Sequence, residues 1–420
     1  MALFVNTDGV FGRRWQISQL GPNPSLVNDI PFFYTILLCV VATLLIALII
    51  FALKSGSIDR IALGLVAFSF NADVIPGVFQ AGLLSLLVLL VYRGIRQGNI
   101  PFRLTPMIVF IGLIYISYCT SFLFADKPMS LLGNLNFRTT YMFIMILLPA
   151  ILVTRRHLEI YFDFLLVAAL ISVGVEVLQF VLTTVTGEIV TFSTSNYNRV
   201  STPYGIFPRL TGLMYHPNHQ SNLLASQAMM ALWFATQPKE LCARSRRWFY
   251  FVCYVVLAFG TVITWSRSGW LSIAVATAIV PILRWPKIAP WYVLSVLVVG
   301  SLGYFSGVAQ GVYQIIHDFN GSSADFRWHI DDIAMDAFFN NPWFGVGVNL
   351  FIDYSNPYQL EVHDTYLQVA SSMGLFGVLA VGGFAWTIVG RLIHVWARPA
   401  ERHHREWAIA LLLALLIISS

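Results

Sequence analysis

Long apolar stretches alternate with short polar ones along most of this chain, and each apolar stretch approaches the length of a membrane-spanning helix. Crossing a bilayer takes roughly 20 apolar residues in a helix, with some spread around that length. The clear stretches are residues 32–53, 104–124, 136–153, 160–182, 221–236, 248–264, 269–283, 290–307 and 365–389. This pattern predicts an all-α polytopic membrane protein.

Two further stretches are less regular. Residues 61–92 are interrupted by Asn71, Asp73 and the Pro76-Gly77 pair, which predicts two short helices or one broken helix. Residues 407–420 are apolar but too short to span a bilayer comfortably. With these stretches we expect about 11 to 12 transmembrane helices in a single membrane domain covering residues 1–420.

Composition agrees with the pattern. The chain is 57% hydrophobic and 11% charged, with a mean hydropathy of +0.73, whereas a soluble domain is about 25% charged. A polar stretch precedes the first span, so no cleavable signal peptide is expected. Three of the four cysteines lie in predicted spans and Cys242 lies in a basic loop, which is neither a disulfide framework nor a metal set.

The distribution of Lys and Arg between alternate loops predicts the orientation. One set of loops holds 15 of these residues and the other set holds 6. Cytoplasmic loops carry the excess of positive charge, so the sparser set faces outward. The formal net charge of +5 therefore reflects membrane topology, and no nucleic-acid partner is expected.

Two outward loops are long. Residues 183–220 form the first, and residues 308–362 form a large cap loop. The cap loop is rich in Trp, Phe and Ile, which disordered linkers lack. It contains an amphipathic helix that we expect Ser323 or Asp325 to cap and Asn341-Pro342 to end. We therefore interpret it as a folded cap over a site at the membrane surface.

The outward face collects arginines, a histidine and small polar groups. These candidate functional residues are Arg209, Asn218, Ser266, Arg267, Arg327, His363 and Tyr366. Arginine forks suit a diphosphate, because they give paired hydrogen bonds as well as charge. A neutral imidazole suits a general base. A lipid-linked diphosphate sugar is a sensible substrate at a membrane edge that has no nucleotide-sugar pool.

Each candidate also has a structural interpretation. Arg267 could mark the membrane surface as a snorkelling side chain. Arg327 could pair with Asp331 one helical turn later. Arg209 could be an ordinary loop cation, and His363 could simply begin a helix.

Metal and nucleotide sites are less favoured. His216 and His219 lack a nearby third ligand, which makes a weak zinc signal. The aspartates of the cap helix (Asp331, Asp332 and Asp336) are more typical of its solvated face. Gly345-Val-Gly347 is a turn without the Lys-Ser of a phosphate loop, and Gly374, Gly377 and the Gly382-Gly383 pair are expected to allow close helix packing. No cofactor is expected.

These motifs resemble the bacterial O-antigen ligase and polymerase family, which includes the Wzy-type polysaccharide polymerases. The motifs are Arg209-Leu-Thr-Gly212 with Pro217-Asn218, Thr264-x-Ser266-Arg267-Ser-Gly269, Asn341-Pro342-x-Phe-Gly345-Val-Gly347, and His363-Asp-Thr-Tyr366 with Gly374-Leu-Phe-Gly377. The resemblance extends over about residues 205–390 and implies a GT-C-like membrane fold.

The resemblance also implies a metal-independent, inverting glycosyl transfer from an undecaprenyl-diphosphate donor. Arg267 and Arg327 would bind the diphosphate, and His363 would act as the base toward the acceptor hydroxyl. We add Arg209 to the diphosphate site, although the motif does not fix its role. The remaining candidates (Ser266, Asn218 and Tyr366) would contact other parts of the substrates.

The first interpretation is a polysaccharide polymerase that joins lipid-linked repeats at the periplasmic face of the bacterial inner membrane. A ligase that transfers the glycan to lipid A-core or protein is the close alternative. A transporter or flippase would need ionisable residues deep in the bilayer. Here Asp163 and Glu176 are the main ones, and the charges otherwise gather on the outward face, which favours an enzyme. A structural scaffold is the remaining alternative. Expected partners are the lipid-linked glycan donor, a glycan acceptor, the bilayer and other polysaccharide export proteins.

Overall fold

The computed structural model describes most of the chain from residue 58 onward. The described residues are 58–72, 75, 78–98, 105–123, 132–151, 155–186, 199–202, 205–214, 216–240, 242–285, 287, 289–307, 323–347, 362 and 364–397. The helices are α1 (Ile58–Ser69), α2 (Val78–Gln97), α3 (Pro106–Leu123), α4 (Leu132–Ile151), α5 (Arg155–Thr186), α6 (Pro217–Ala235), α7 (Arg244–Ile263), α8 (Arg267–Arg284), α9 (Ala289–Phe305), α10 (Ser323–Asn340) and α11 (Thr365–Ala397). A two-stranded antiparallel hairpin, β1 (Arg199–Thr202) and β2 (Gly205–Pro208), joins α5 to α6.

The helices have membrane character. Among the described residues, α2, α5, α7 and α11 are long and apolar enough to cross a bilayer, and α3, α4, α8 and α9 contain shorter apolar stretches. The all-α polytopic class is therefore confirmed, apart from the small hairpin. The total of 11 to 12 spans stays a prediction, because residues 32–53 and 407–420 lie outside the described residues.

The irregular stretch at residues 61–92 forms two helices, α1 and α2, as one of the two alternatives predicted. The chain leaves the helix at Asn71, which is fully buried. Its amide nitrogen donates to the Ala67 carbonyl at 3.0 Å, and its amide oxygen accepts from the Gln227 side chain at 2.9 Å. The break predicted from polar residues in an apolar run is therefore a hydrogen-bonded helix end.

The described residues divide into two compact units. The first unit contains α1, α5 from Tyr161 onward, the hairpin and α6 to α9. The second contains α2 to α4, residues 155–160, α10 and α11. The single membrane domain expected over residues 1–420 stays a prediction.

The core of the first unit lies between α5, α6 and α7. Leu166 and Val173 from α5 pack with Leu224 from α6 and Leu257 from α7. Gly260 permits this approach, because a Cβ there would stand 2.6 Å from the Val173 side chain. Tight packing of this kind stabilises helix pairs in lipid, where apolar burial alone supplies little driving force.

The outer face of α7 is apolar as well. Its buried positions include Tyr250, Cys253 and Leu257, whereas Val255 and Phe259 on the other side are 49% and 55% exposed. A helix that is apolar on all sides belongs in a large core or in a membrane. The exposed side of α7 therefore fits contact with acyl chains.

In the second unit, the predicted cap helix is confirmed as α10. It buries Ile330, Ala334 and Ala337 against Val362 and the start of α11. The expected solvated face is also present, since Asp332 and Asp336 are exposed and Asp331 is half-buried. The other predicted outward loop, residues 183–220, begins with the last turn of α5 and contains the hairpin.

Helix α11 is interrupted at Gly374, and the glycine turn after α10 docks at the interruption. Gly374 has φ 62° and ψ −160°. Val346 and Gly347 donate their backbone N–H groups to the carbonyls of Ser371 and Ser372 at 2.9 and 3.1 Å. On the other side of the break, the Leu375 N–H donates to the Pro342 carbonyl at 2.7 Å.

The glycines at this junction are required by contact as well as by conformation. Gly345 has φ 69° and lies against the backbone of Ser372, so a Cβ there would overlap it. A Cβ on Gly374 would stand 2.5 Å from the Trp343 carbonyl carbon. Gly345-Val-Gly347 is thus confirmed as a turn. Gly374 allows a turn rather than a second helix to approach. Gly383 does pack against Phe110 of α3, whereas Gly382 meets nothing.

Candidate active site

The starts of α6 and α8 are joined by a buried arginine. Arg209, which follows the hairpin, is 9% exposed. Its Nε donates to the Thr264 carbonyl at 3.3 Å, just before α8, and its Nη2 donates to the Asn218 side-chain oxygen in the first turn of α6. Two of the predicted site residues, Arg209 and Asn218, are therefore in contact.

The turn from α7 into α8 is tightly constrained. Trp265 adopts φ 55°, a region that residues other than glycine rarely enter and that often marks functional sites. Its ring stacks on Phe207 of β2, with centroids 5.3 Å apart. The Thr264 hydroxyl accepts from the Ser266 N–H at 3.3 Å. The hairpin thereby holds the turn that presents Ser266 and Arg267.

Small hydroxyl side chains extend from this turn toward α6. The Ser266 and Ser268 hydroxyls are 3.2 Å apart, and the Ser268 hydroxyl donates to the Asn222 side-chain oxygen at 3.3 Å. Gly269 lies directly against Ser221, so that any side chain at this position would collide with α6. The Thr-x-Ser-Arg-Ser-Gly motif thus presents Arg267, and its last two residues, Ser268 and Gly269, contact α6.

The loop that carries Arg209 is held by α5. The Gln179 side-chain oxygen accepts from the backbone N–H groups of Thr211 and Gly212 at 3.2 and 3.0 Å, and its nitrogen donates to the Gly212 carbonyl at 3.1 Å. The Ser172 hydroxyl accepts from the Leu213 N–H at 3.1 Å. Two α5 side chains therefore fix the backbone immediately after Arg209.

Gly212 completes this attachment. It has φ 55°, and a Cβ there would stand 2.5 Å from the Ser172 hydroxyl and 2.6 Å from the Gln220 side chain. Gln220 in turn exchanges hydrogen bonds with Ser172. The Arg-Leu-Thr-Gly motif consequently needs its glycine for both conformation and space.

The sequence interpretation missed these α5 residues, although a signal was present. Ser172, Glu176, Gln179 and Thr183 recur at helical spacing within an apolar span, and all four are buried. Polar residues inside membrane helices usually face the protein interior and serve a function. Glu176 was considered only as a mark of a transporter, whereas it belongs to the helix face that supports the loop of Arg209.

The electrostatics of the site favour an anion. A helix start carries the equivalent of about half a positive charge and exposes backbone N–H groups. Neither α6 nor α8 has an acidic residue in its first turn, and α8 begins with Arg267 itself. His216 caps α6 by accepting from the Asn218 N–H at 3.1 Å. Two helix starts and two arginines thus concentrate positive potential in one place.

The other predicted site residues belong to the second unit. Arg327 lies in α10, but its side chain is outside the described part of the chain, as is His363 altogether. Tyr366 is 54% exposed in the first turn of α11. Asp364, next to His363, caps this helix by accepting from the N–H groups of Tyr366 and Leu367 at 2.8 and 2.9 Å.

No metal centre is evident among the described residues, where no three His, Cys, Asp or Glu side chains come close enough to share an ion. The rings of His216 and His219 contact each other with centroids 5.4 Å apart. Metal independence of the reaction stays a prediction.

Comparison with known proteins places the turn and the cap in one family. Residues 252–382 match the family model described as O-antigen ligase. This stretch is similar to an O-antigen ligase domain. It begins within α7 and includes Arg267, Arg327, His363 and Tyr366, so the resemblance noted from the motifs is confirmed. No match was found among curated proteins.

Members of this family are glycosyltransferase-type enzymes that act in membranes on lipid-linked glycans. The matched stretch contains the α7–α8 turn but neither Arg209 nor Asn218. These two residues enter the site only through their contacts with Thr264 and with each other. The geometry therefore extends the candidate site beyond the matched region.

Proposed function

We propose that this protein is an inverting, metal-independent glycosyltransferase that joins undecaprenyl-diphosphate-linked oligosaccharide repeats into exopolysaccharide or O-antigen. The reaction takes place at the periplasmic face of the bacterial inner membrane. The observation that carries the proposal is the junction of the α6 and α8 starts through Arg209, beside Arg267.

This junction supports a diphosphate ligand for two reasons. Backbone N–H groups and helix dipoles at two helix starts stabilise negative charge. Arg209, fixed by Asn218 and Thr264, adds a positive charge that cannot swing away, whereas Arg267 is half-buried at the helix start. Ser266 and Asn218 supply polar groups beside these charges. Arg327 and Tyr366 are assigned to the same site from the sequence motif alone.

In the proposed step, an acceptor hydroxyl oxygen attacks the anomeric carbon of the donor sugar from the side opposite the diphosphate. The carbon–oxygen bond to the diphosphate breaks, and undecaprenyl diphosphate leaves. His363 takes the proton from the acceptor hydroxyl as a neutral imidazole. The arginines stabilise the charge that develops on the leaving group.

A ligase that transfers the completed glycan to lipid A-core or protein is the second candidate. The match of residues 252–382 to the O-antigen ligase family model supports it. Both reactions use the same donor and leaving group, so the diphosphate site serves either. They differ in the acceptor alone.

Deletion of the gene, followed by sizing of the cell-surface polysaccharide, separates the two candidates. Loss of a polymerase leaves single repeats, whereas loss of a ligase leaves full-length polymer on its lipid carrier. Unchanged surface polysaccharide would contradict both. Expression of the protein from a plasmid should restore the normal pattern.

Arg267→Lys tests the diphosphate site. Lysine keeps the charge but loses the planar fork, so we expect most transfer activity to disappear. Arg156→Lys, at an exposed position on α5, is the matched control and should remain active. Normal transfer by Arg267→Lys would leave Arg267 as a surface anchor only.

His363→Ala tests the base. A general base contributes roughly 10²–10⁴-fold in rate, so we expect transfer to fall by about that factor while the lipid donor still binds. Binding is measured with the purified protein and the donor in the absence of acceptor. If donor binding is lost and transfer falls only as much as donor binding does, His363 is a binding residue and not the base.

A further inference from the structure

A cavity lies toward the opposite end of α7 from the junction of helix starts. Its volume is about 500 Å³, and it is lined by the end of α6, the start of α7, the end of α8 and the start of α9. Because α7 rises about 1.5 Å per residue, the cavity residues Arg244 and Tyr254 lie roughly 30 Å and 15 Å from Thr264 along the helix axis. The cavity is therefore separate from the proposed diphosphate site.

One wall of the cavity is basic. Arg244 and Arg247 line it, in the first turn of α7. Arg246 in the same turn is already paired with Asp163. The turn contains no acidic residue, and Ala243 provides no side-chain cap. Positive charges at a helix start are unfavourable, so this turn would be stabilised by a bound anion.

The hydrogen-bonding state of Arg247 points the same way. Its Nη1 donates to the Gln237 carbonyl at 3.5 Å, which is a long contact. Its Nε is buried and has no partner within the described part of the chain. A buried charged donor without an acceptor is costly. An anionic oxygen in the cavity would supply the acceptor.

The remaining walls are apolar and aromatic. Trp248 and Phe251 from α7 and Trp285 at the end of α8 line the cavity and are 59%, 43% and 43% exposed. Aromatic rings of this kind are enriched at membrane interfaces, where one side is apolar and the other is wet. These walls suit an acyl chain more than a sugar or a nucleotide.

The floor of the cavity is held by a proline-dependent contact. Pro281 in α8 has no N–H, so the Thr277 carbonyl lacks its helical donor. The Tyr292 hydroxyl of α9 donates to that carbonyl at 2.8 Å, and the Tyr254 and Thr277 hydroxyls share a further hydrogen bond. These bonds connect α7, α8 and α9 around the cavity.

We propose that this cavity binds an anionic phospholipid of the surrounding membrane. The phosphate group lies at Arg244 and Arg247, and an acyl chain lies along Trp248, Phe251 and Trp285. The phosphate oxygens accept hydrogen bonds from the two arginines and balance the positive helix start. The acyl chain fills the part of the cavity that the aromatic rings line. A zwitterionic lipid would add a cationic headgroup beside Arg244 and Arg247, and a soluble phosphate has no chain to fill the aromatic part of the cavity.

The test uses the purified full-length protein in detergent, titrated with dioleoyl phosphatidylglycerol and followed by native mass spectrometry. We expect the wild type to bind it at least about tenfold more tightly than dioleoyl phosphatidylcholine, since the choline cation of the latter would lie against the basic wall and like charges brought together are unfavourable. The double variant Arg244→Gln/Arg247→Gln should lose this preference. Arg155→Gln/Arg156→Gln, at the basic start of α5, is the matched control and should keep it.

Ala235→Phe gives a second, independent test, because Ala235 lines the cavity and a phenyl ring there would occupy the space for the chain while leaving both arginines. It should also weaken phosphatidylglycerol binding, and its melting temperature in detergent verifies folding. Equal binding of the two lipids by the wild type, or undiminished preference in the arginine variant, would overturn the proposal. Displacement of the lipid by an equal concentration of glycerol 3-phosphate would also overturn it, in favour of a soluble anion.

Discussion

Replacing Gln179 with leucine should separate the role of α5 in catalysis from its role in stability. Leucine keeps most of the volume but removes the groups that hold the Arg209 loop. Two backbone N–H groups, those of Thr211 and Gly212, and the Gly212 carbonyl would lose their partner. The loop would then be fixed from α5 mainly by Ser172.

The expected loss of stability follows from these three bonds. A hydrogen bond in a membrane protein contributes about 0.6 kcal/mol on average, and one in a soluble protein up to about 1.5 kcal/mol. Three bonds therefore give about 2–5 kcal/mol. For activity, a displacement of about 1 Å in a positioned group can cost 10²-fold, so we expect transfer per folded protein to fall by about that factor.

Gln227→Leu is the matched control. Gln227 is a buried glutamine of the same unit, and it donates one hydrogen bond, to Asn71, with no contact to the Arg209 loop. This variant should lose about 1 kcal/mol and keep nearly normal transfer. Gln179→Glu keeps the two accepted bonds and should recover part of the activity.

The assay measures melting in detergent and the rate of transfer from a lipid-diphosphate oligosaccharide, normalised to folded protein. The KM for the donor should rise in Gln179→Leu, because Arg209 serves the diphosphate. If Gln179→Leu melts earlier but transfers at the normal rate, or if both leucine variants lose activity equally, the loop does not position Arg209 for the reaction.

Other predictions concern helix contacts and metal. Gly269→Ala should destabilise the protein by roughly 1–3 kcal/mol through overpacking against Ser221, whereas Gly174→Ala, where a Cβ meets nothing, should be neutral or slightly stabilising; thermal melting compares them. Gly374→Ala should reduce both stability and transfer by disturbing the docked turn, whereas Gly382→Ala should not, and equal behaviour would show that the break is dispensable. Transfer by purified protein should persist in excess chelator, and recovery only on adding magnesium or manganese would show that the aspartates of α10 bind an ion.

The helices were predictable because hydropathy in a bilayer is a strong constraint on the chain. Every predicted span within the described residues corresponds to a helix, and the polar interruption at Asn71 does separate two of them. The cap helix was recognised from its apolar positions and from the Asn341-Pro342 pair, which follows its last residue, Asn340. These features depend on neighbours along the chain, which a sequence displays directly.

The contacts that build the site depend on pairing over long separations, which a single sequence does not display. Gln179 holds residues more than 30 positions away, and Arg209 reaches Thr264 across 55 positions. The sequence shows the polar residues at helical spacing on α5, but it does not show that they contact the loop of Arg209. Gly374 lies in an apolar helix, and the sequence predicted that it allows a second helix to pack closely. In the structure the segment packed against it is the turn that contains Gly345.

The docking of this turn bears on how such proteins can be recombined. The carbonyls of Ser371 and Ser372 and the N–H of Leu375 find their partners in residues 342–347, so neither segment satisfies its backbone without the other. A chimera that takes the cap from one relative and α11 from another would place a foreign turn against the break at Gly374. Exchange of residues 323–397 as one block keeps both halves of the junction together.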